Sequence, residues 1–203
     1  MSGARASEPF LPPPSGCSIY GEHAHATLTP GTSVDNSTVR ARLEAELQGA
    51  GLPHTVLRPG MVHGGDAHSS IVGDWFREAQ SSGPVHRGRR DKVWSWIHVE
   101  DLARAYTAVL REPEEHDGRT YLLGDARPVA PLAVVEAAAR AVGRTDAVAL
   151  APIEDEKPVY RVFDRDEIID SSAAGAALGW IPQESDVLAE LPASFGQWSA
   201  ARP

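Results

Sequence analysis

An α/β fold is what this sequence predicts, and three observations carry the prediction. Helix-like and strand-like stretches alternate along the chain. Short β-rich runs at residues 54–57 and 119–123 neighbour amphipathic helical patterns. The first of these runs ends at Arg58-Pro59-Gly60, a turn that carries the backbone over the carboxyl end of a sheet, where open α/β folds bind ligands. With 203 residues, 42% of them hydrophobic and 23% charged, the chain can bury one core of ordinary size but not comfortably two.

The elements follow in order. Residues 1–16 hold four prolines, two glycines and three serines, which predicts an irregular segment, with the ordered domain over residues 17–203. A helix is expected from Ser37 to Ala50, capped by Ser33 or Asp35, with Val39, Leu43 and Leu47 on one face and Gly51 as its stop. The strand His54–Leu57 comes next. In EDLARAYTAVL, Glu100 and Asp101 suit a helix N-terminus, and Leu102, Ala105, Tyr106, Val109 and Leu110 repeat at three-four spacing. Residues 119–123 read as a strand, and Pro131 opens a helix that stops at Gly143. A short strand is expected within residues 147–151. Asp170 or Ser171 caps a helical turn ending at Leu178-Gly179, and a terminal helix lies around Val187 to Leu191. No internal repeat occurs.

Charge and composition exclude several classes. The 28 acidic and 19 basic residues give a net charge of −9, which disfavours nucleic acid and anionic lipid as partners. His86 to Arg90, HRGRR, reads as a solvated loop rather than an anion patch. Cys17 is the only cysteine, so no internal disulfide can form and a reducing cytoplasmic setting is expected. No signal-like apolar segment opens the chain, and no run of about 18 apolar residues occurs in it. The spacing of the eight histidines offers no metal site, and there is neither a GxSxG elbow nor a motif around Cys17 that would make it a nucleophile.

Four stretches stand in a telling order: SIYG at Ser18–Gly21, the Arg40-x-x-x-Glu44 helix leading to LRPGMVHG at Leu57–Gly64, WSWIHVEDLARAY at Trp94–Tyr106, and LGWIP at Leu178–Pro182. Read on their residues alone, His98 is a core histidine, Asp101 a helix cap and LGWIP a helix stop with a packing tryptophan. Together, collinear over about residues 17–192, the four resemble the extended short-chain dehydrogenase/reductases of the NAD-dependent epimerase/dehydratase family. The resemblance implies the C-terminal part of a Rossmann-like parallel sheet flanked by helices, joined to that family's small substrate-binding subdomain. It also implies NAD or NADP as cofactor and a small-molecule substrate.

The same resemblance locates candidate site residues and departures. The family's glycine-rich pyrophosphate motif does not occur in these 203 residues, so the dinucleotide-binding half has no counterpart here and the chain is expected to have an impaired cofactor site, or none. Asn36 falls at the position of the family's catalytic tyrosine and Arg40 at that of its lysine; asparagine cannot do acid/base work. Gly16 falls at the catalytic serine or threonine, which leaves Ser15 and Ser18 as imperfect stand-ins and Tyr20 as the nearest phenol. The resemblance thus implies Ser18, Tyr20 and Arg40 as catalytic, Arg40, Pro59, Gly60, Met61 and Val62 as cofactor-binding, and His63, Trp75, Trp94 and Trp96 as facing substrate. Trp94 occupies the place of an arginine that grips a diphosphate in nucleotide-sugar enzymes, which points to a small hydrophobic or aromatic substrate. The competing expectation is a non-redox scaffold or cofactor-free binding or cyclase-type protein. An incomplete sheet would further call for a homodimer or a partner chain to cover its edge.

Overall fold

The computed structural model describes residues 15–23, 25–66, 68, 70–153, 164–184 and 186–201; of the irregular segment expected over residues 1–16, residues 1–14 lie outside them. Every named strand pair is parallel. β2 (Val56–Pro59) runs beside β6 (Thr120–Leu123) in register from Val56–Thr120 to Pro59–Leu123. β3 (Met61–His63) pairs with β5 (Trp96–His98), β4 (Val85–Arg87) with β7 (Ala149–Ala151), and β1 (Thr27–Leu28) with β8 (Ile168–Ile169). Parallel neighbours need crossover connections. Helices α1 (Val39–Gly49), α2 (Ile71–Ser81), α3 (Val99–Arg111), α4 (Pro131–Ala141), α5 (Ser172–Leu178) and α6 (Val187–Ala200) alternate with the strands. This is the expected α/β, Rossmann-like class.

All four residues of β2 are buried, as befits a parallel strand covered on both faces. Leu57 packs with Ile97, Ala105, Val109, Tyr121, Leu123 and Trp180. β3 divides two cores by its period of two: Val62 faces the Leu57 cluster, whereas Met61 joins Trp75, Trp94, Trp96 and Trp198 between α2, α4 and α6. A third cluster holds Cys17, Ile19, Tyr20, Leu28, Leu122 and Ile169.

Several details differ from the sequence expectations, each for a physical reason. α1 starts at Val39 under a Thr38 cap, whose side chain accepts from the Ala41 amide; Asp35 caps the preceding turn through the Ser37 amide. Its expected apolar face looks outward, with Val39 62% and Leu43 51% exposed, while Ala41 and Glu44 are buried. The rotation is set by Glu44, whose carboxylate meets the Arg58 guanidinium of β2 at 2.5 Å and 3.3 Å. A buried ion pair outweighs two aliphatic side chains in choosing the face.

His98 caps α3, its Nδ1 accepting from the Glu100 amide, and so takes the role expected of Asp101. Asp101 is fully buried and accepts from the Gln183 and Glu184 amides, while its backbone carbonyl accepts from the Trp180 indole at 2.8 Å. The LGWIP stretch is thereby fastened to the start of α3. The HRGRR run is not a solvated loop: β4 buries Arg87, which forms a two-point pair with Glu78 of α2, and His86 is buried beside it. Among the described residues no helix is long and apolar enough to cross a membrane.

Candidate active site

The chain leaves β2 at Pro59-Gly60 and makes a tight crossing. The Gly60 amide donates to the Leu123 carbonyl at 2.9 Å and the Met61 amide to the Ser95 carbonyl at 3.0 Å. A Cβ on Gly60 would collide with the Ser95 carbonyl oxygen and the Ile169 side chain, so only glycine allows the two backbones this close. Across the carboxyl end of the strand lies the 3-10 turn Cys17–Tyr20, whose Cys17 thiol donates to the Arg58 carbonyl at 3.2 Å.

Arg40 reaches this junction from α1. Its Nη1 donates to Ser18 Oγ at 3.1 Å, and a Cβ on Gly16 would stand 3.2 Å from that nitrogen and 3.5 Å from the Pro59 carbonyl oxygen. The guanidinium, the Ser18 hydroxyl and the Pro59 carbonyl therefore converge at Gly16, close enough that a side chain there would crowd them. The i to i+4 pair that spacing allows between Arg40 and Glu44 does not form, because Glu44 is held by Arg58.

Tyr20 belongs to a different arrangement. Its phenol oxygen accepts from Arg58 Nη1 at 2.6 Å, and Ser15 Oγ donates to the Glu44 carboxylate on the far end of the same network. Burial pushes the Tyr20 phenol up to about 12 despite the neighbouring guanidinium. Of the three residues expected to be catalytic, Ser18 and Arg40 are brought together and Tyr20 is locked into structural bonds. Asn36 is exposed in the turn before the Thr38 cap.

The expected cofactor residues around the turn offer backbone rather than side chains. Pro59 is buried, Met61 lies in the tryptophan cluster and Val62 packs on the Leu57 cluster. The three tryptophans expected to face substrate lie in the core instead, Trp75 at 5%, Trp94 at 2% and Trp96 at 1% exposure. Trp94 Nε1 donates to the Arg165 carbonyl and Trp96 Nε1 to the Val129 carbonyl, so each indole's polar atom is used internally. His63 is also buried, edge-on to His98 and Trp96, and neither ring nitrogen has a hydrogen-bond partner among the described residues. Burial, helped by His98, brings its pKa down to about 4.

Two residues that sequence reasoning passed over complete the junction. Arg165 Nη2 donates to the Ser18 carbonyl at 2.6 Å. Glu167 is 3% exposed, and burial raises its carboxyl to about 7 although Arg165 and Arg40 pull the other way. In the sequence, Asp164-Arg165-Asp166-Glu167 reads as a solvated charge run. The usable signal is alternation into β8, which sets Glu167 on the face of buried Ile169. Among the described residues no group of three or more metal-ligating side chains occurs.

Comparison with known proteins agrees with the fold. Residues 38–124 match the model of the NAD dependent epimerase/dehydratase family. No curated protein matches the chain. Among solved structures, the dTDP-glucose 4,6-dehydratase of Bacillus anthracis in complex with NAD aligns with a TM-score of 0.73 at 19% identity, covering 92% of this chain and 60% of that one. The UDP-glucose 4-epimerase of Thermotoga maritima with UDP-glucose gives 0.70 at 20% identity, covering 92% and 62%. That of Thermus thermophilus in complex with NAD gives 0.72 at 20%, covering 93% and 63%. The chain thus spans about 60% of the length of the solved structures it matches. Residues 38–124 are thus similar to the NAD dependent epimerase/dehydratase family, and the chain shares the α/β, Rossmann-like fold of these solved structures.

Proposed function

We propose that this chain provides the substrate side and the nicotinamide-ring side of an epimerase/dehydratase-type oxidoreductase that uses NAD or NADP on a small molecule. The observation that carries this reading is the convergence of Arg40, Ser18 and the Pro59 carbonyl at the carboxyl end of β2, beside Gly16. Ligands of open α/β sheets bind at that edge. The Arg40 guanidinium can stabilise negative charge developing on a substrate oxygen. Ser18 Oγ accepts from Arg40, which leaves its own O–H to donate to the same oxygen.

Arg40 and the Pro59-to-Val62 backbone stand at the carboxyl end of β2, where they could meet the nicotinamide end of a dinucleotide, and Gly16 keeps a side chain out of that corner. When bound there, a nicotinamide would supply or accept hydride. These 203 residues contain no glycine-rich motif for the pyrophosphate. Trp94 stands where nucleotide-sugar enzymes place a diphosphate-gripping arginine, which supports a substrate without that group. Asn36 cannot move a proton, so the reading requires another group to do so.

Isothermal calorimetry with NADH, NADPH and reduced nicotinamide mononucleotide tests the proposal. Saturable binding of the mononucleotide, competing with the dinucleotides for one site, is expected. No heat from any of the three at millimolar concentration contradicts it.

A further inference from the structure

Asn36 leaves the Ser18–Arg40 junction without a proton-transfer group, and the only buried carboxyl at that junction is the one on Glu167 among the described residues. Glu44, the other buried carboxylate of this region, is consumed by Arg58 and Ser15, and Asp166 accepts from the His25 and Val93 amides. Glu167 differs from both. Its backbone is fixed on each side, the amide donating to the Val93 carbonyl at 2.9 Å and the carbonyl accepting from the Ser95 amide at 2.7 Å. No hydrogen bond or ion pair with a described residue reaches its side chain.

Direction follows from the strand. Glu167 bridges Trp94 in parallel and leads straight into β8, so its side chain shares a face with Ile169. Ile169 lies against Gly60 and Gly124 and packs with Cys17, Ile19 and Tyr20. The Glu167 carboxyl is accordingly turned toward the Cys17-Ser18 turn, within electrostatic reach of Cys17, of Arg40 from α1 and of Arg165 from its own segment. These three are the titratable or charged groups that face it.

From this placement we infer that Glu167 is the proton-transfer group of the Ser18–Arg40 junction, a carboxylic acid standing in for the phenol that position 36 lacks. The inference rests on the function proposed above. In the reducing direction the Glu167 proton passes to the substrate carbonyl oxygen held by Ser18 and Arg40, as hydride from a dihydronicotinamide reaches the carbonyl carbon. C=O becomes CH–OH, the reductant leaves oxidised, and the carboxylate left on Glu167 faces Arg40 and Arg165. The reverse reaction returns the proton to Glu167. Burial that keeps the acid protonated near neutral pH matches the task, since a proton donor works best with a pKa near the operating pH.

Esterification by a small diazo amide tests the inference without any cofactor. The reagent carbon takes the carboxyl proton, N2 leaves, and the carboxylate oxygen bonds to that carbon, so only a protonated carboxyl reached by the reagent is marked. With the full chain at pH 7, peptide mass mapping should find the ester on Glu167 ahead of all other carboxyls, falling about tenfold by pH 8.5. Arg40→Met removes a cation that favours the carboxylate, and its fall-off should move to higher pH; Glu167→Asp should still label and Glu167→Gln should not. A folded wild-type chain in which Glu167 stays unlabelled at pH 6 to 7 shows a sealed structural carboxyl and overturns the inference. Labelling that does not respond to Arg40→Met overturns it as well. The two proposals fail separately: Glu167 can label in a chain that binds no nicotinamide, and nicotinamide can bind beside a Glu167 that never labels.

Discussion

Two arginines enter the same corner of the molecule and are used in opposite ways. Arg58, on β2, is buried with its donors divided between Glu44 and Tyr20, and Ser15 donates to the same carboxylate. Arg40, on the helix above, has one described side-chain partner, Ser18, and is itself exposed to solvent. The carboxylates divide in the same manner, Glu44 saturated and Glu167 without a hydrogen-bond or ion-pair partner among the described residues. A closed network rigidifies a fold, whereas an open one holds binding capacity in reserve. Residue type alone says nothing about which is which.

The comparison breaks most visibly at Arg58. Arg58→Met leaves Glu44 buried without its partner, and urea unfolding should show a loss of about 3–5 kcal/mol. If that loss is under about 1 kcal/mol, the Glu44 network is not what fixes α1 on β2.

The pH dependence of stability sharpens the same contrast. Glu167 has a folded pKa raised to about 7 from 4.5, so the folded chain holds a proton that the unfolded chain has lost; its contribution is full below about 4.5 and falls as pH rises to about 7. His63, lowered to about 4 from 6.5, acts with the opposite sign: its contribution is full above about 6.5 and is lost as pH falls to about 4. Each is worth roughly 3 kcal/mol over its window, and the two nearly cancel in the wild-type chain. Glu167→Gln should therefore expose a stability that climbs by about that amount from pH 4 to 6.5, while the wild type stays comparatively flat. Parallel curves for the two proteins would mean that Glu167 is not protonated in the folded state.

Smaller effects follow. Gly60→Ala forces the Ser95 strand away from β2 and should cost about 1–3 kcal/mol in thermal or urea unfolding. Leu43→Gln, on the outward face of α1, should change stability by no more than about 0.5 kcal/mol. A large loss there would mean that something covers that face.

The elements were largely legible because they rest on local signals. Pro131 at the first turn of α4, Gly179 in the left-handed conformation after α5 and the apolar stripe of α3 fix type and position without tertiary help. The site was legible only in part. Arg40 lies beside the Pro59 turn as its position in the motif implied, but the tryptophans that suggested a pocket are core, and Tyr20 is tied to Arg58. Their destinations depend on partners 33 to 71 positions away, Val129 for Trp96, Arg58 for Tyr20 and Arg165 for Trp94, which no local pattern encodes. α1 shows the same limit, since its apolar stripe was outvoted by one tertiary ion pair. Glu167 stayed hidden because a charged run is ordinarily solvated, and only its pairing beside Trp94 buries it.

The most direct test of this division of labour is the affinity of reduced nicotinamide mononucleotide for Arg40→Met, measured by calorimetry next to its urea midpoint. Losing a charged donor at a binding site should weaken the complex about tenfold or more, while the midpoint stays within about 0.5 kcal/mol of wild type. Unchanged affinity in Arg40→Met, or a loss of affinity that merely tracks a loss of folding, would contradict the assignment of Arg40 to ligand and leave both arginines as structural residues.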